Sequence, residues 1–441
     1  MESRSHLMPS RAAVRVVTAA LLCAALALVL SGGEGWAGGA GPPDLAYWAA
    51  GDLWLARADG TETRRLTDHG DPALRATTPP AWSPDGRYLA YFAYEPHPAH
   101  PGTLGDGRLL LLDAETGQER LISDIGGAWP PQFTWAPGGR ALLLAWPSVA
   151  YEWYDAATGR RTPIDLPMWH NQKEGGGTAC GTLWHVSPDV EWVAYLHEDE
   201  TLRFRHLLSG RERLIGPSPG VAGWVPAVCH QAAWSSDGRW FAWMQLVDDG
   251  ALALGPREEV FALRRDAAIG EAVLVRTGRN QKGPTSWRPY GRRLMSAADW
   301  EALGAVAGPR LDIGQTPDGG ACVRVGTLCI PGQDVQGRSA DGQWLLHRGP
   351  AGGAIQVIRV DGAAQHELAA DAELPWTWVG DAASVYSPDG RYVVYARPER
   401  PQPSPWPERE LWVLDLASGG HQRLGPGDAA AWRGGAPWWG P

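Results

Sequence analysis

Short apolar runs broken by turn residues recur along this chain at nearly even intervals. Tyr88-Leu89-Ala90-Tyr91 and Tyr392-Val393-Val394-Tyr395 are two such runs, each preceded by an aromatic residue and Ser-Pro-Asp-Gly-Arg. A third is Trp240-Phe241-Ala242-Trp243, behind Trp234-Ser235-Ser236-Asp237-Gly238-Arg239. Runs this short, aromatic and rich in β-forming residues predict paired strands. The turn chemistry agrees: Pro fixes φ, Asp bonds back to the turn backbone, and Gly accepts the positive φ that closes it. Two more strand-like runs follow each turn. Examples are Gln356–Val360, a turn at Asp361-Gly362, then Gln365–Leu368, and Leu411–Leu416 before the turn Ser418-Gly419-Gly420. Each unit therefore reads as four antiparallel strands.

Weaker copies begin at Trp135, Val186, Trp287, Arg338 and Trp432, so the anchors from Trp82 onward are spaced by 53, 51, 48, 53, 51, 48 and 46 residues. A near-constant period of this size predicts a solenoid or a propeller, and the strand chemistry favours a propeller. Residues 45–67 supply outer strands with no inner strand before them. Trp432 supplies an inner strand with none after it. Joined, they make one composite blade. Seven complete units and this composite give eight blades; seven is the alternative, because the fifth unit is irregular.

These repeats resemble the TolB-like, WD40-like (PD40 repeat) β-propeller family. The aromatic-Ser-Pro-Asp-Gly-Arg half of its signature is quoted above; the Asp-Gly and Arg-Leu-Thr half stands at Asp59-Gly60 and Arg65-Leu66-Thr67. The resemblance implies a single all-β propeller domain over residues 44–441. It says nothing about chemistry. Pro137-Gly138-Gly139, Asp189-Val190-Glu191 and Arg288-Pro289-Tyr290-Gly291 depart from the pattern.

The N-terminus is of another kind. Arg4, Arg11 and Arg15 precede the uncharged apolar run Val16–Leu30, and small residues lead to Ala37 and Ala40. This predicts a signal peptide over residues 1–37 and a linker over 38–43, hence a periplasmic or extracellular protein. An uncleaved anchor is the competing layout; if the signal is cleaved, the mature chain has no membrane span. Loss of Glu2, Arg4, Arg11, Arg15 and Glu34 takes the net charge from −10 to −11. An acidic chain with Lys only at 173 and 282 is poorly suited to nucleic acid. Cys180, Cys229, Cys322 and Cys329 remain, an even number that suggests disulfides in an exported chain. Of the three pairings, Cys180 with Cys229 would tie two long loops, and Cys322 with Cys329 would close a small one.

Candidate chemistry gathers in the blade-connecting loops. Asn171-Gln172-Lys173 and Asn280-Gln281-Lys282 contain every Asn and Lys of the chain. With Trp129, Trp169, Trp224, Trp376 and Trp378 they offer donors and flat surfaces to a protein, peptide or glycan. The anchors Trp82, Trp135, Trp234, Trp287 and Trp432 read as packing residues. No hydrolase nucleophile elbow, His-Glu-x-x-His or phosphate loop occurs, so no catalytic residue, metal or cofactor is expected. His97, His100, His170, His185 and His230 are the dispersed histidines a metal-dependent polysaccharide lyase would need. The reading is an exported binding or scaffold module; the alternative is a polysaccharide lyase or hydrolase working at a central channel.

Overall fold

The computed structural model describes residues 44–76, 78–100, 104–125, 131–146, 151–165, 186–197, 201–216, 224–225, 232–235, 237–247, 257–267, 271–279, 302–304, 311–315, 321–325, 328–331, 335–339, 341–348, 353–374, 385–398 and 409–434. The expected signal and linker lie outside them. The described residues belong to one compact unit, Pro42–Pro441.

Every named element is a strand, and the strands form eight antiparallel sheets among the described residues. Numbered in chain order, sheet 1 contains Asp44–Ala49, Asp52–Arg57 and Thr63–Arg65, with the C-terminal strand Asp428–Trp432 paired to the first of these. Leu45 lies opposite Trp432, so the two ends of the described chain share a sheet. Sheet 2 runs from Ala81–Trp82 through Tyr88–Pro96 and Leu104–Asp113 to Glu119–Ile125. Sheet 3 runs from Gln132–Trp135 to Arg161–Ile164, sheet 4 from Trp192–Leu196 to Glu212–Gly216, and sheet 5 from Trp224–Val225 to Val273–Arg279. Sheets 6, 7 and 8 span Leu311–Gln315 to Leu328–Pro331, Val335–Arg338 to Gln365–Glu367, and Tyr392–Pro398 to His421–Pro426.

The repeated turn explains itself atom by atom. Ser83 Oγ donates to Asp85 Oδ1 (2.5 Å) and accepts from the Tyr88 amide (2.8 Å). The Gly86 amide donates to Ser83 O (2.7 Å), with Gly86 at φ 68°. The same Ser–Asp–aromatic set recurs at Ser187, Ser235, Ser339 and Ser387. In the departing second copy, Ala136 supplies only its backbone and Gly139 still closes the turn. In the third, Val190 occupies the closing position at φ 55°, a conformation that costs an L residue with a Cβ.

The strands are apolar on both faces because each face meets a different neighbour. In Tyr88–Pro96, Leu89, Tyr91 and Ala93 pack with Ala46, Trp48 and Leu53 of sheet 1. Ala90, Phe92 and Tyr94 pack instead with Phe133, Leu142 and Leu144 of sheet 3. Leu143 and Tyr151 carry the contact from sheet 3 to Val193 and Tyr195 of sheet 4, and Phe204 meets Trp234 and Phe241 of sheet 5. On the other side, sheets 7, 8 and 1 share a cluster containing Val357, Val393, Tyr395, Leu45 and Tyr47. Seven of the eight sheets are thus linked face to face in chain order. Period-two alternation assigns each residue to one of two cores, which is why the run reads as continuously apolar.

Two polar devices lock neighbouring sheets. Trp135 Nε1 donates to Ala81 O (3.0 Å), Trp82 Nε1 to Ala431 O (3.2 Å) and Trp432 Nε1 to Val385 O (3.0 Å). The anchor tryptophans Trp82, Trp135, Trp234 and Trp432 are buried, as packing residues should be; Trp287 lies outside the described residues. The second device sits on the outermost strands. Arg120 donates to Ala156 O (3.1 Å) and Ala157 O (3.2 Å) of the next sheet, and Arg213 donates to Ala267 O (2.7 Å) and Arg265 O. A planar guanidinium fork can grip two carbonyls where an ammonium offers a point charge. These positions give a physical use to the Arg that dominates the basic residues.

Candidate functional site

The sites expected from sequence fall mostly outside the described residues. That holds for Asn171, Gln172, Lys173, Asn280, Gln281, Lys282, Trp129, Trp169, Trp376, Trp378, Cys180 and Cys229, and for His170, His185 and His230. Trp224 was expected in a loop. Its backbone instead forms a short strand, with Trp224 opposite Val247. Cys322 and Cys329 lie on adjacent strands of sheet 6, where Cys322 is opposite Pro331 and Arg324 opposite Cys329. Cys329 is disulfide-bonded. The rings of His97 and His100 lie with centroids 4.6 Å apart and planes tilted by 34°, and His100 is exposed.

A cluster not anticipated from sequence forms where sheets 1 and 2 meet. It begins with the tight turn at Ala50-Gly51, whose positive φ values (50° and 83°) bring Asp52 under the segment that follows Thr63–Arg65. There is no space for a side chain at Gly51, since a Cβ would stand 2.0 Å from Asp71 O. Asp52, almost fully buried, accepts from Thr67 Oγ1 (2.9 Å), the His69 amide (2.9 Å) and Arg65 Nη2 (2.6 Å). Thr67 Oγ1 in turn accepts from the Leu53 amide (2.9 Å). The Arg65-Leu66-Thr67 part of the repeat therefore ties down the start of the neighbouring strand.

His69 is held from both sides. Its Nδ1 lies 2.8 Å from Gly51 O and 3.1 Å from Asp52 Oδ1, and its Nε2 lies 3.0 Å from Glu119 Oε2. The ring stacks on Trp48 at a centroid distance of 5.8 Å. Tyr91 donates its hydroxyl to Glu119 Oε2 and also lies 3.3 Å from His69 Nε2. Arg65, Leu66, Thr67, Asp68, His69, Gly117 and Glu119 surround a cavity of about 420 Å³.

The electrostatics follow from the geometry. Burial lowers the His69 pKa, but the hydrogen bonds to Glu119 and Gly51 and the charges of Glu119 and Asp52 outweigh it, so the net value lies above that of an ordinary histidine. Burial raises the Glu119 pKa, but the bonds from His69 and Tyr91 and the charges of His69 and Arg108 prevail, so it stays below the usual carboxylate value. Burial, then Glu119, pushes the Tyr91 phenol far up, and it remains a donor.

Part of this cluster belongs to the repeat. Tyr195, at the position equivalent to Tyr91, donates to Glu212 Oε1 (2.6 Å), and Tyr395 pairs with His421 Nδ1 (2.9 Å). Among these three sheets, the pair at Tyr91 is the one joined by a histidine from a neighbouring sheet. The sequence signal was slight: His69 lies just beyond Arg65-Leu66-Thr67, and Glu119 is 50 residues away.

No family model matches the chain, and no curated protein matches it. Among solved structures it is similar to dipeptidyl peptidase 4 of Porphyromonas gingivalis, at 10% identity and TM-score 0.48, covering 88% of this chain and 58% of that one. A prolyl endopeptidase structure aligns at 12% identity and TM-score 0.35, covering 88% of this chain and 50% of that one. A TolB candidate from Agrobacterium tumefaciens aligns at 15% identity and TM-score 0.28, covering 72% and 95%. The chain thus spans only about half the length of the two peptidases. None of the three likenesses reaches TM-score 0.5, and the fold rests on the sheet order and packing of this chain.

Proposed function

We propose that the chain is an exported, eight-bladed β-propeller, closed by its terminal strands, that binds a protein, peptide or glycan of the cell envelope on the face of its blade-connecting loops. The observation that carries this reading is the uniform strand order. In the four-stranded sheets 2, 3 and 7, the chain runs from one side of the sheet to the other and then passes to the next. Alternating strand direction sends the connections between sheets, and those between second and third strands, toward one end. In the sequence, both Asn-Gln-Lys tripeptides and most of the singled-out tryptophans fall between the segments that form successive sheets, which supports this reading. The pairing of Leu45 with Trp432 supports closure, and the count of eight sheets supports eight blades over seven.

The test replaces Asn171, Lys173, Asn280 and Lys282 together with Ala. Retention of the ligand captured from native envelope or a glycan array should disappear while the melting temperature stays unchanged. Full retention by the quadruple variant defeats the reading.

One observation favours the alternative of a polysaccharide lyase or hydrolase: the histidine–carboxylate pair His69–Glu119. Its location weighs against a reaction at the central channel. Glu119 starts the outermost strand of sheet 2, and His69 follows the outermost strand of sheet 1.

A further inference from the structure

His69 has an unusual set of neighbours. Nδ1 faces Gly51 O and Asp52 Oδ1, and Nε2 faces Glu119 Oε2. All three are acceptors, so the imidazolium, with hydrogen on both nitrogens, is the form that satisfies all of them. The neutral ring must give up one of these bonds. Gly51 O is a backbone acceptor held in a tight turn, so Nδ1 keeps its hydrogen and Nε2 loses one. A lone pair would then oppose Glu119 Oε2 at 3.0 Å. The nearby hydroxyl of Tyr91 can serve either Glu119 or His69 Nε2, but not both. Deprotonation of His69 therefore leaves Glu119 short of a donor, on the wall of a cavity of about 420 Å³.

The charge count points the same way. The groups facing His69 come from four elements: Asp52 from the strand Asp52–Arg57 of sheet 1, Arg65 and Asp68 from its own segment, Tyr91 from the second strand of sheet 2, and Glu119 from the fourth. Arg108 acts on Glu119 from the third strand of sheet 2. Arg65 is already engaged by Asp52 and Asp68. With His69 charged, three carboxylates meet three cations. With His69 neutral, one negative charge is left over.

We infer that this cavity is a binding site for a single cationic group, an ammonium or guanidinium, which takes the place of the His69 proton against Glu119. The cation donates to Glu119 Oε2 and restores the charge balance. Tyr91 is then free to donate to the neutral ring. The cavity has room for the end of a lysine or arginine side chain, or for an amino sugar. Binding releases one proton, so affinity rises about tenfold per pH unit below the His69 midpoint and levels off above it. This proposal uses none of the residues singled out for the loop face and stands or falls independently of that reading.

The test uses the full chain with isotope-labelled histidine, following the His69 ring signals by NMR across pH. The probes are N-acetyl-argininamide and its uncharged isostere N-acetyl-citrullinamide. The arginine compound should lower the His69 titration midpoint and the citrulline compound should not. Glu119→Gln should abolish that response, and His69→Gln should make binding of the arginine compound independent of pH. Equal effects of the two probes, or an unmoved midpoint with both, overturn the proposal. Should Glu119→Gln fail to fold, Tyr91→Phe decides. With no hydroxyl to satisfy the neutral ring, the arginine compound should shift the midpoint less than in the parent, and an unchanged shift counts against the exchange.

Discussion

Val190 is the sharpest test of the turn geometry. It stands where Gly86, Gly139, Gly238, Gly342 and Gly390 stand in other copies, at φ 55° against their 64–70°. It is also buried, at 5% exposure, in the cluster with Leu143, Tyr151 and Val193. Two effects therefore oppose each other on substitution. Val190→Ala removes two methyl groups from a packed core, about 1.6 kcal/mol before any cavity contribution, and keeps most of the backbone strain. Val190→Gly loses more packing but relieves the strain. Gly over Ala is worth about 1 kcal/mol or more at positive φ, whereas in a strand Ala leads Gly by roughly 0.5–1 kcal/mol. Val193, fully buried in the same cluster and in an ordinary strand, is the control. Loss of the buried Cβ is common to both sites and cancels in the comparison. The Gly-minus-Ala difference at position 190 should therefore be more favourable than at position 193 by about 1.5–2 kcal/mol. Urea denaturation of the four variants, read as midpoints at constant slope, measures it. If Gly trails Ala equally at both positions, the turn does not hold Val190 in the left-handed region and the account fails.

Other consequences are as direct. Trp135→Phe leaves the buried carbonyl of Ala81 without its donor between sheets 2 and 3 and should cost about 1–3 kcal/mol by denaturant titration; a neutral result would remove the indole from the lock. Because the folded pKa of His69 is raised, its contribution to stability is complete below the ordinary histidine value of about 6.5 and fades as pH rises through the folded value. Denaturation across this range should show that decline in the parent and not in His69→Gln. The hydrogen bond from Arg391, more than the remaining groups, holds the Asp415 carboxyl down to about 2, so its contribution persists above the ordinary aspartate value and is lost as pH falls toward 2. Asp415→Asn should lower stability modestly at neutral pH and converge with the parent as pH falls toward 2, which flattens the acid limb. Peptide mapping without reduction should recover Cys322 linked to Cys329 and Cys180 linked to Cys229; a Cys180–Cys322 peptide excludes both.

What could be read from the sequence was whatever the chain repeats or settles locally. The Ser-x-Asp-Gly turn is legible because its bonds close within six residues, from Ser83 to Tyr88. Strand pairing is legible because period and turn together set the register. The anchor tryptophans could be called packing residues for the same reason, although their indole donors to the neighbouring sheet could not be foreseen. The His69 cluster is the opposite case. Its Asp52, His69, Tyr91 and Glu119 come from four elements of two sheets, and no pair of them has a spacing that marks a motif. Even so, each belongs to a repeated position or lies beside one: Tyr91 ends the apolar run, Glu119 opens the outer strand, and His69 follows Arg65-Leu66-Thr67. Repetition first places a tyrosine–acid pair between strands of one sheet, as Tyr195 and Glu212 show without any histidine. A single histidine from the adjacent sheet then turns that structural pair into a titratable one. The informative deviations in a repeat protein of this kind are thus substitutions beside the motif as well as within it. An inter-sheet search pairing each outer-strand carboxylate with the residue two beyond Arg-Leu-Thr of the preceding unit would have led to His69.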